Sequence, residues 1–229
     1  MRLGSGHLPG LLICATLLGA SQAGADVTVD RKPAVIERKT FDPSHHPSGM
    51  PALEGNENAV TQSHFECGVT LNYQVLGRKK QQGSCKTDLK VRDVGVTLQL
   101  QIVIWLPEGA TPKLLAHEEG HRQITERVYE RAEKIARQIA QALDGQTISG
   151  DGTDCGGAEK QAMQTAASQF CRAYLEQTAR PSAHLSEIYD NLTAHGTRLE
   201  PTEDDAIRQA FDRNRREDGE GRARPANEK

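Results

Sequence analysis

Apolar side chains recur at every second position in the most regular stretch of the chain, from residue 94 to residue 106. They are Val94, Val96, Leu98, Leu100, Ile102, Ile104 and Leu106. The first positions between them hold small or polar residues, which predicts a strand with one buried face and one wet face. A second alternating stretch at 65–75, a polar turn at 78–83 and a strand that begins near Cys85 predict a hairpin.

The apolar spacing changes to about 3.6 residues after this strand, which predicts an amphipathic helix at 113–143 that packs on the sheet. Its apolar residues are Leu114, Leu115, Ile124, Val128, Ile135, Ile139 and Leu143. Thr111-Pro112 suits the N-cap and the first helical position. Glycines and aspartates predict a loop at 148–157, and a second helix is expected over about 158–178.

The two ends of the chain have weaker patterns. Residues 26–62 are rich in Pro, Ser, Asn and charge, so we expect a linker or a partly ordered segment there. Within it, 27–29 and 34–36 are candidate strands. Residues 201–229 are charged and poor in apolar side chains, so we expect a mostly disordered tail.

The motif His117-Glu118-Glu119-Gly120-His121 lies in the second turn of the predicted long helix. Residues four apart share one face of a helix, so the two imidazoles point the same way. This spacing suits two nitrogen ligands of one zinc ion. Glu118 then stands where a general base would take a proton from a zinc-bound water. Without a metal, the same residues form a His/Glu-rich helix face.

A catalytic zinc ion needs a third protein ligand beside the two histidines and a water. An extended HExxHxxGxxH pattern fails here, because Ile124 and Arg127 stand where Gly and His are required. The candidates are Glu159, Glu176, His184, Glu187, Asp190 and His195. We favour His195, which precedes Gly196 in a compact polar segment.

Three neighbours of His195 could serve that site. Asp190 or Thr193 could orient its imidazole through the second ring nitrogen, as metal-bound histidines usually require. Tyr189 could donate a hydrogen bond to a developing oxyanion. The alternatives are a packing role for Tyr189 and a helix-capping role for His195.

Composition and the N-terminus bear on compartment and partners. With 229 residues the chain can form one real core, and its net charge of −3 gives no argument for a nucleic-acid partner. Arg2, an apolar run at 11–20 and small residues before Asp26 predict a signal peptide at 1–25. The run is too short to span a membrane stably, so we expect no membrane span in the mature chain; an uncleaved anchor is the alternative.

Four cysteines remain after the predicted signal peptide: Cys67, Cys85, Cys155 and Cys171. An even number in an exported chain predicts two disulfides, with three possible pairings. Proximity in sequence favours Cys67–Cys85 and Cys155–Cys171. The oxidising compartment would be the bacterial periplasm or the extracellular side.

Four segments together resemble a family of bacterial exported proteins described as secreted zinc-dependent proteases, otherwise of unknown function. They are the Cys85 segment, the strand end at 104–107, the helix at 117–124 and a Tyr-Asp-x-x-Thr-x-His-Gly element at 189–196. The resemblance covers about 65–196. It implies that His117, Glu118 and His121 form a zincin-type motif, and it strengthens the choice of His195. The family resemblance also leads us to expect a tryptophan shortly after the last element, but this chain has none there.

The interpretation is an α+β, zincin-like domain at 63–200, with a small antiparallel sheet packed on a long metal-binding helix, two disulfides and disordered termini. The expected function is that of an exported zinc-dependent peptidase, which binds one Zn²⁺ and acts on a peptide or protein substrate. Two alternatives stay open. One is an exported binding or assembly protein whose zinc site is structural, relic or absent, and the other is a zinc-dependent cell-wall amide hydrolase.

Overall fold

The structure is a computed structural model that describes residues 26–53 and 57–223. The signal peptide predicted at 1–25 and the last part of the predicted tail, at 224–229, lie outside the described residues.

A five-stranded sheet is built around one long strand, β4 (Ser84–Pro107). β3 (Val60–Gln81) pairs with it along one edge, in antiparallel orientation and with a tight turn at Gly83. The other edge is shared end to end by β5 (Thr147–Gly152), β1 (Asp26–Arg31) and β2 (Val35–Phe41). The predicted hairpin and both candidate N-terminal strands are therefore confirmed.

The prediction of an antiparallel sheet is wrong. β1 and β2 pair with β4 in parallel, while β3 and β5 pair with it in antiparallel orientation, so the sheet is mixed. A chain that leaves β2 must cross to the other edge of β4 before it can begin β3, and the described residues 42–53 and 57–59 belong to this connection. Alternation of apolar residues reports which face is buried but carries no information on strand direction.

The core lies on one face of this sheet, where the alternating side chains of β4 meet the helices. Leu98, Leu100, Ile102 and Ile104 are fully buried, in one cluster with residues of the helical layer. The helices are α1 (Pro112–Tyr129), α2 (Ala132–Leu143), α3 (Cys155–Gln177), α4 (Ala179–Thr193) and α5 (Glu203–Ala223). The predicted α+β class and the buried face of the strand are confirmed.

The single helix predicted over 113–143 is two helices. Between α1 and α2, the backbone N–H of Arg131 donates to the carbonyl of Val128 at 3.2 Å, three residues back instead of four. Beside the break, the buried Tyr129 hydroxyl lies 2.8 Å from the carbonyl oxygen of Lys32 and 3.1 Å from that of Leu98. This anchor to the sheet is a tertiary contact, so the helical pattern alone gave no sign of it.

Two segments have more regular structure than we expected. β5 occupies part of the predicted loop, because Gly150 and Gly152 let its backbone lie directly against the start of α3. The predicted tail contains α5. Ala206, Ile207 and Ala210 of this helix are fully buried, so a few apolar residues on one face suffice to dock a charged helix.

The two disulfides are present, but with a pairing other than the one that sequence proximity favours. Cys67 is bonded to Cys171, and Cys85 to Cys155, so each bond ties the sheet to α3. The register of the hairpin explains the difference: Cys67 lies opposite Leu98, far along β4 from Cys85. In the part of the chain that the structure describes, no helix is long and apolar enough to cross a membrane.

Peptide mapping by mass spectrometry without reduction should recover one peptide pair joined through Cys67 and Cys171 and another joined through Cys85 and Cys155. Replacing Cys67 and Cys171 together by serine should lower the free energy of unfolding by roughly 2–5 kcal/mol, because the bond closes a long loop. A peptide pair joined through Cys67 and Cys85 would contradict this pairing.

Candidate metal centre

The N-terminus of α1 positions the two motif histidines. Thr111 caps the helix, its hydroxyl accepting the backbone N–H of Leu114 at 3.2 Å, and Pro112 follows at the first helical position. One turn further on, His117 and His121 project from the same face, with their Nε2 atoms 3.3 Å apart. The local prediction of a capped helix that carries two imidazoles on one face is confirmed.

Asp190 on α4 joins these two histidines. Its Oδ1 atom lies 3.2 Å from Nε2 of His117 and 3.0 Å from Nε2 of His121. Among the described residues, these three offer ligand atoms that all lie within 4.8 Å of one another, so the group could hold a metal ion. Their side chains are 4%, 12% and 19% exposed for His117, His121 and Asp190, so a bound ion would be largely shielded from water.

The electrostatics of this group favour positive charge at its centre. Burial would raise the pKa of Asp190, but hydrogen bonds from His117 and His121 outweigh it and hold the pKa of that carboxyl below its usual range. Burial would lower the pKa of His121, but its hydrogen bond to Asp190 and the nearby carboxylates outweigh it, so the pKa is raised. A metal cation would meet the same negative environment as the imidazole protons do.

Glu118 faces the same space from the neighbouring position of the helix. The residue is buried, and its Oε2 atom accepts a hydrogen bond of 2.7 Å from the hydroxyl of Thr61 on β3. Burial is the largest influence on this carboxyl and raises its pKa. A carboxylate with a raised pKa is better matched to taking up a proton near neutral pH.

Thr193 fixes the orientation of His117. The Thr193 hydroxyl donates to the carbonyl of Tyr189 at 2.9 Å, so its oxygen can accept the Nδ1–H of His117 at 3.4 Å. When a metal ion takes the place of the proton that Nε2 shares with Asp190, this arrangement would leave the Nε2 lone pair of His117 directed at the centre of the group. The sequence suggested an orienting role for Thr193 towards His195, whereas the imidazole it contacts is that of His117.

Tyr189 packs between the two histidines and the helix that carries them. Its ring stacks on His117 with centroids 5.0 Å apart and meets His121 edge to face. The hydroxyl donates to the carbonyl of His117 at 3.4 Å, and the residue is fully buried. A Cβ atom at Gly120 would overlap this hydroxyl, which explains the glycine. The ring is enclosed by its neighbours, and a role of Tyr189 as an oxyanion donor stays a prediction from the sequence.

His195 lies at the rim of the site. Its Nδ1 atom is 3.7 Å from Oδ1 of Asp190, and its side chain is 47% exposed. It belongs to a turn in which Ala194, His195 and Gly196 all have positive φ, and which presses on the ring of His117. The compact group therefore contains Asp190, and a ligand role for His195 stays a prediction.

The other candidates for a third ligand have partners elsewhere. Glu159 pairs with Arg78, and Glu176 pairs with Arg180. His184 and Glu187 lie 3.8 Å apart on an exposed part of α4, where His184 also contacts Glu217.

Thr61 was missed by the sequence analysis, because it lies in the segment that we expected to be a linker and nothing in the local pattern marks it. Glu119, the second acid of the motif, contacts Arg38 of β2 and Arg122 and so ties α1 to the sheet. It takes no part in the metal-binding group.

A cavity of about 140 Å³ opens onto these groups. We call it the central cavity; its lining includes His117, Glu118, His121, Asp190 and His195. Two imidazole nitrogens, a carboxylate oxygen and a neighbouring buried carboxyl in one small cavity form a set suited to metal-assisted proton transfer.

Comparisons of the chain with protein-family models, with curated proteins and with solved structures find no match. The resemblance to exported zinc-dependent proteases therefore stays a prediction from the sequence.

Replacing Gly120 by alanine should lower the free energy of unfolding by about 1–3 kcal/mol, because the new methyl group overlaps the Tyr189 hydroxyl. Gly157→Ala is the matched control, since the neighbours that its Cβ would meet are side-chain atoms of Asp154 at 3.7 Å or more. That variant should be neutral or slightly stabilising. Thermal unfolding of both variants measures the difference, and equal stabilities would contradict the packing described.

Proposed function

We propose that this chain is an exported zinc-dependent peptidase in which Glu118 acts as the general base. The observation that carries the proposal is the buried carboxyl of Glu118 beside the His117, His121 and Asp190 group in the central cavity. A metal site alone has many uses. A buried carboxyl with a raised pKa at its edge is what hydrolysis by an activated water requires.

The donor set suits zinc. Two imidazoles and one carboxylate are a common ligand set for catalytic zinc, and the cavity leaves space for a further ligand. The same set also suits ferrous iron in oxygenases. The presence of Glu118 favours hydrolysis, because redox chemistry at iron does not need a general base at that position.

A bound zinc ion would supply Lewis-acid chemistry, which polarises a carbonyl group and lowers the pKa of water. The residues of the chain would do the rest. Glu118 would take a proton from the attacking water and pass it to the amine that leaves as the C–N bond breaks. Thr61 would hold the carboxylate of Glu118 in place, and Thr193 would keep His117 in the required tautomer.

β3 would align the substrate. Within the described part of the chain, only β4 pairs with β3, and residues Val60 and Thr61 line the central cavity. An extended peptide could add to this edge by main-chain hydrogen bonds, which would bring its backbone past the metal-binding group. The two disulfides support an oxidising compartment, as expected for an exported enzyme.

The second candidate is an exported binding protein with a structural zinc ion. One observation favours it: His195 lies only 3.7 Å from Asp190 and could supply a fourth protein ligand. Structural zinc sites are closed by four protein ligands, whereas catalytic sites keep one position open. The role of His195 therefore separates the two functions.

Tag-free protein should contain one zinc ion per chain by elemental analysis. Asp190→Asn should weaken zinc binding by more than about a hundredfold, because it removes a ligand charge. His184→Ala is the control and should keep full zinc. If His195→Ala loses zinc as completely as Asp190→Asn, the structural-site function gains support. Iron in place of zinc would contradict the proposal.

Glu118→Gln should keep its zinc but lose hydrolysis of a mixed peptide pool by about 10²–10⁴-fold in kcat/KM, because the general base is gone. Glu119→Gln is a matched control one residue away. Glutamine keeps the shape of Glu119 and can still accept hydrogen bonds from Arg38 and Arg122, so this variant should stay within a few fold of the parent. Undiminished hydrolysis by zinc-loaded Glu118→Gln would contradict the mechanism. Turnover of peptidoglycan without turnover of peptides would favour the alternative function of a cell-wall amide hydrolase.

A further inference from the structure

Two larger cavities flank the central cavity, and the three follow one another along α1. The first, of about 520 Å³, is lined by the beginning of the helix at Thr111 and Leu114. Leu114 also lines the central cavity, together with His117 and His121. The third cavity, of about 540 Å³, is lined by Thr125, which lies further along the same helix.

The residues that line the opposite walls pass the three cavities in the same order. Asn58 lines the first and central cavities, Thr61 the central and third, and Phe65 the third. On α4, which runs the other way, Ser182 lines the third cavity and Asp190 the central and third. His195 borders all three. The cavities are therefore parts of one groove, with the metal-binding group at its middle.

The two ends of this groove differ in chemistry. The end beside the start of α1, which we call the apolar cavity, has an apolar wall formed by Phe41, Leu53, Pro107 and Leu114, and its lining also includes the charged residues Glu108 and Lys113. It adjoins the central cavity directly through Leu114. An apolar side chain that enters it would be removed from water next to the metal-binding group.

The other end, which we call the acidic cavity, is lined by Glu57 and Glu187 beside several hydroxyl groups, and it meets the metal-binding group at Asp190. Lysine and arginine are absent from its lining among the described residues. The Glu187 side chain is 74% exposed and therefore accessible to a ligand. This end has the charge to attract a cationic side chain.

The geometry points to an extended polypeptide as the occupant, with a bulky apolar side chain in the apolar cavity and a lysine or arginine side chain in the acidic cavity. The bond to be cleaved lies between them, over the metal-binding group. Each outer cavity has a volume in the range of protein ligand pockets. The inference rests on the proposed peptidase function and adds the substrate class: chains that change from apolar to basic across a short extended segment.

Eight blocked peptides of equal length test it: leucine or alanine stands on one side of the cleaved bond and arginine or glutamate on the other, and each of the four combinations is made in both orders. The peptide with leucine and arginine in the favoured order should have the highest kcat/KM. Replacing its leucine by alanine should lower kcat/KM about tenfold or more. Replacing arginine by glutamate should lower kcat/KM about fivefold. This difference between arginine and glutamate should become smaller as salt is added, because salt screens the charges.

Two variants assign the preferences to the two cavities. Leu114→Ser should abolish most of the preference for leucine while the zinc content stays the same. Glu187→Lys should reverse the preference between arginine and glutamate. The matched controls are Leu76→Ser, at an exposed leucine of the hairpin, and Glu176→Lys, at an exposed acid of α3. Both controls should keep the preferences of the parent.

Binding of the same peptides to zinc-loaded Glu118→Gln, measured by fluorescence polarisation, separates this inference from the proposed function. Binding with the expected preferences but without cleavage by the parent would support the groove and overturn the peptidase. Cleavage without preference between the eight peptides, or with preferences that Leu114→Ser and Glu187→Lys leave unchanged, would overturn the groove and keep the peptidase. Neither binding nor cleavage would overturn both.

Discussion

The contact of Tyr189 with Gly120 is the constraint on which the rest of the site depends. It lets α4 approach α1 so closely that the tyrosine ring stacks on His117. Asp190 follows directly in the chain and reaches both histidines, and Thr193, one turn later, contacts the other nitrogen of His117. One helix crossing thus supplies the third member of the metal-binding group and the group that orients the first.

The fold was predictable where the signal is local. The alternation along β4 and the helix start at Thr111 required only neighbouring residues, and the structure has both. Strand direction, the pairing of Cys67 with Cys171 and the strand β5 required knowledge of which distant segments meet. A periodic pattern reports burial of a face and does not identify the element that covers it. The break after Tyr129 belongs to the same class, because its cause is a contact with the sheet.

The residues of the candidate site also divide into those that local sequence predicts and those that depend on tertiary contacts. His117, Glu118 and His121 follow from helical spacing alone. The choice between Asp190 and His195 depends on the angle at which α4 crosses α1, and both residues were plausible from the sequence. Thr61 could not be found, since it reaches Glu118 from a strand about sixty residues earlier in the chain. Gly120 is a usable signal, because a glycine inside a helix costs stability and so indicates a close approach, although the sequence does not identify Tyr189 as the neighbour.

The positions of the disulfides have a consequence for how the molecule is held together. Both covalent loops, 67–171 and 85–155, enclose α1 and end before α4 begins. The helix that carries Asp190 therefore lies outside both covalent loops, and contacts such as the one between the Thr193 hydroxyl and His117 hold it against α1. A metal ion shared by α1 and α4 would act as a third cross-link, reversible and dependent on metal supply, between a helix inside both loops and a helix outside them. Mass action would then couple the availability of the ion to the rigidity of the groove.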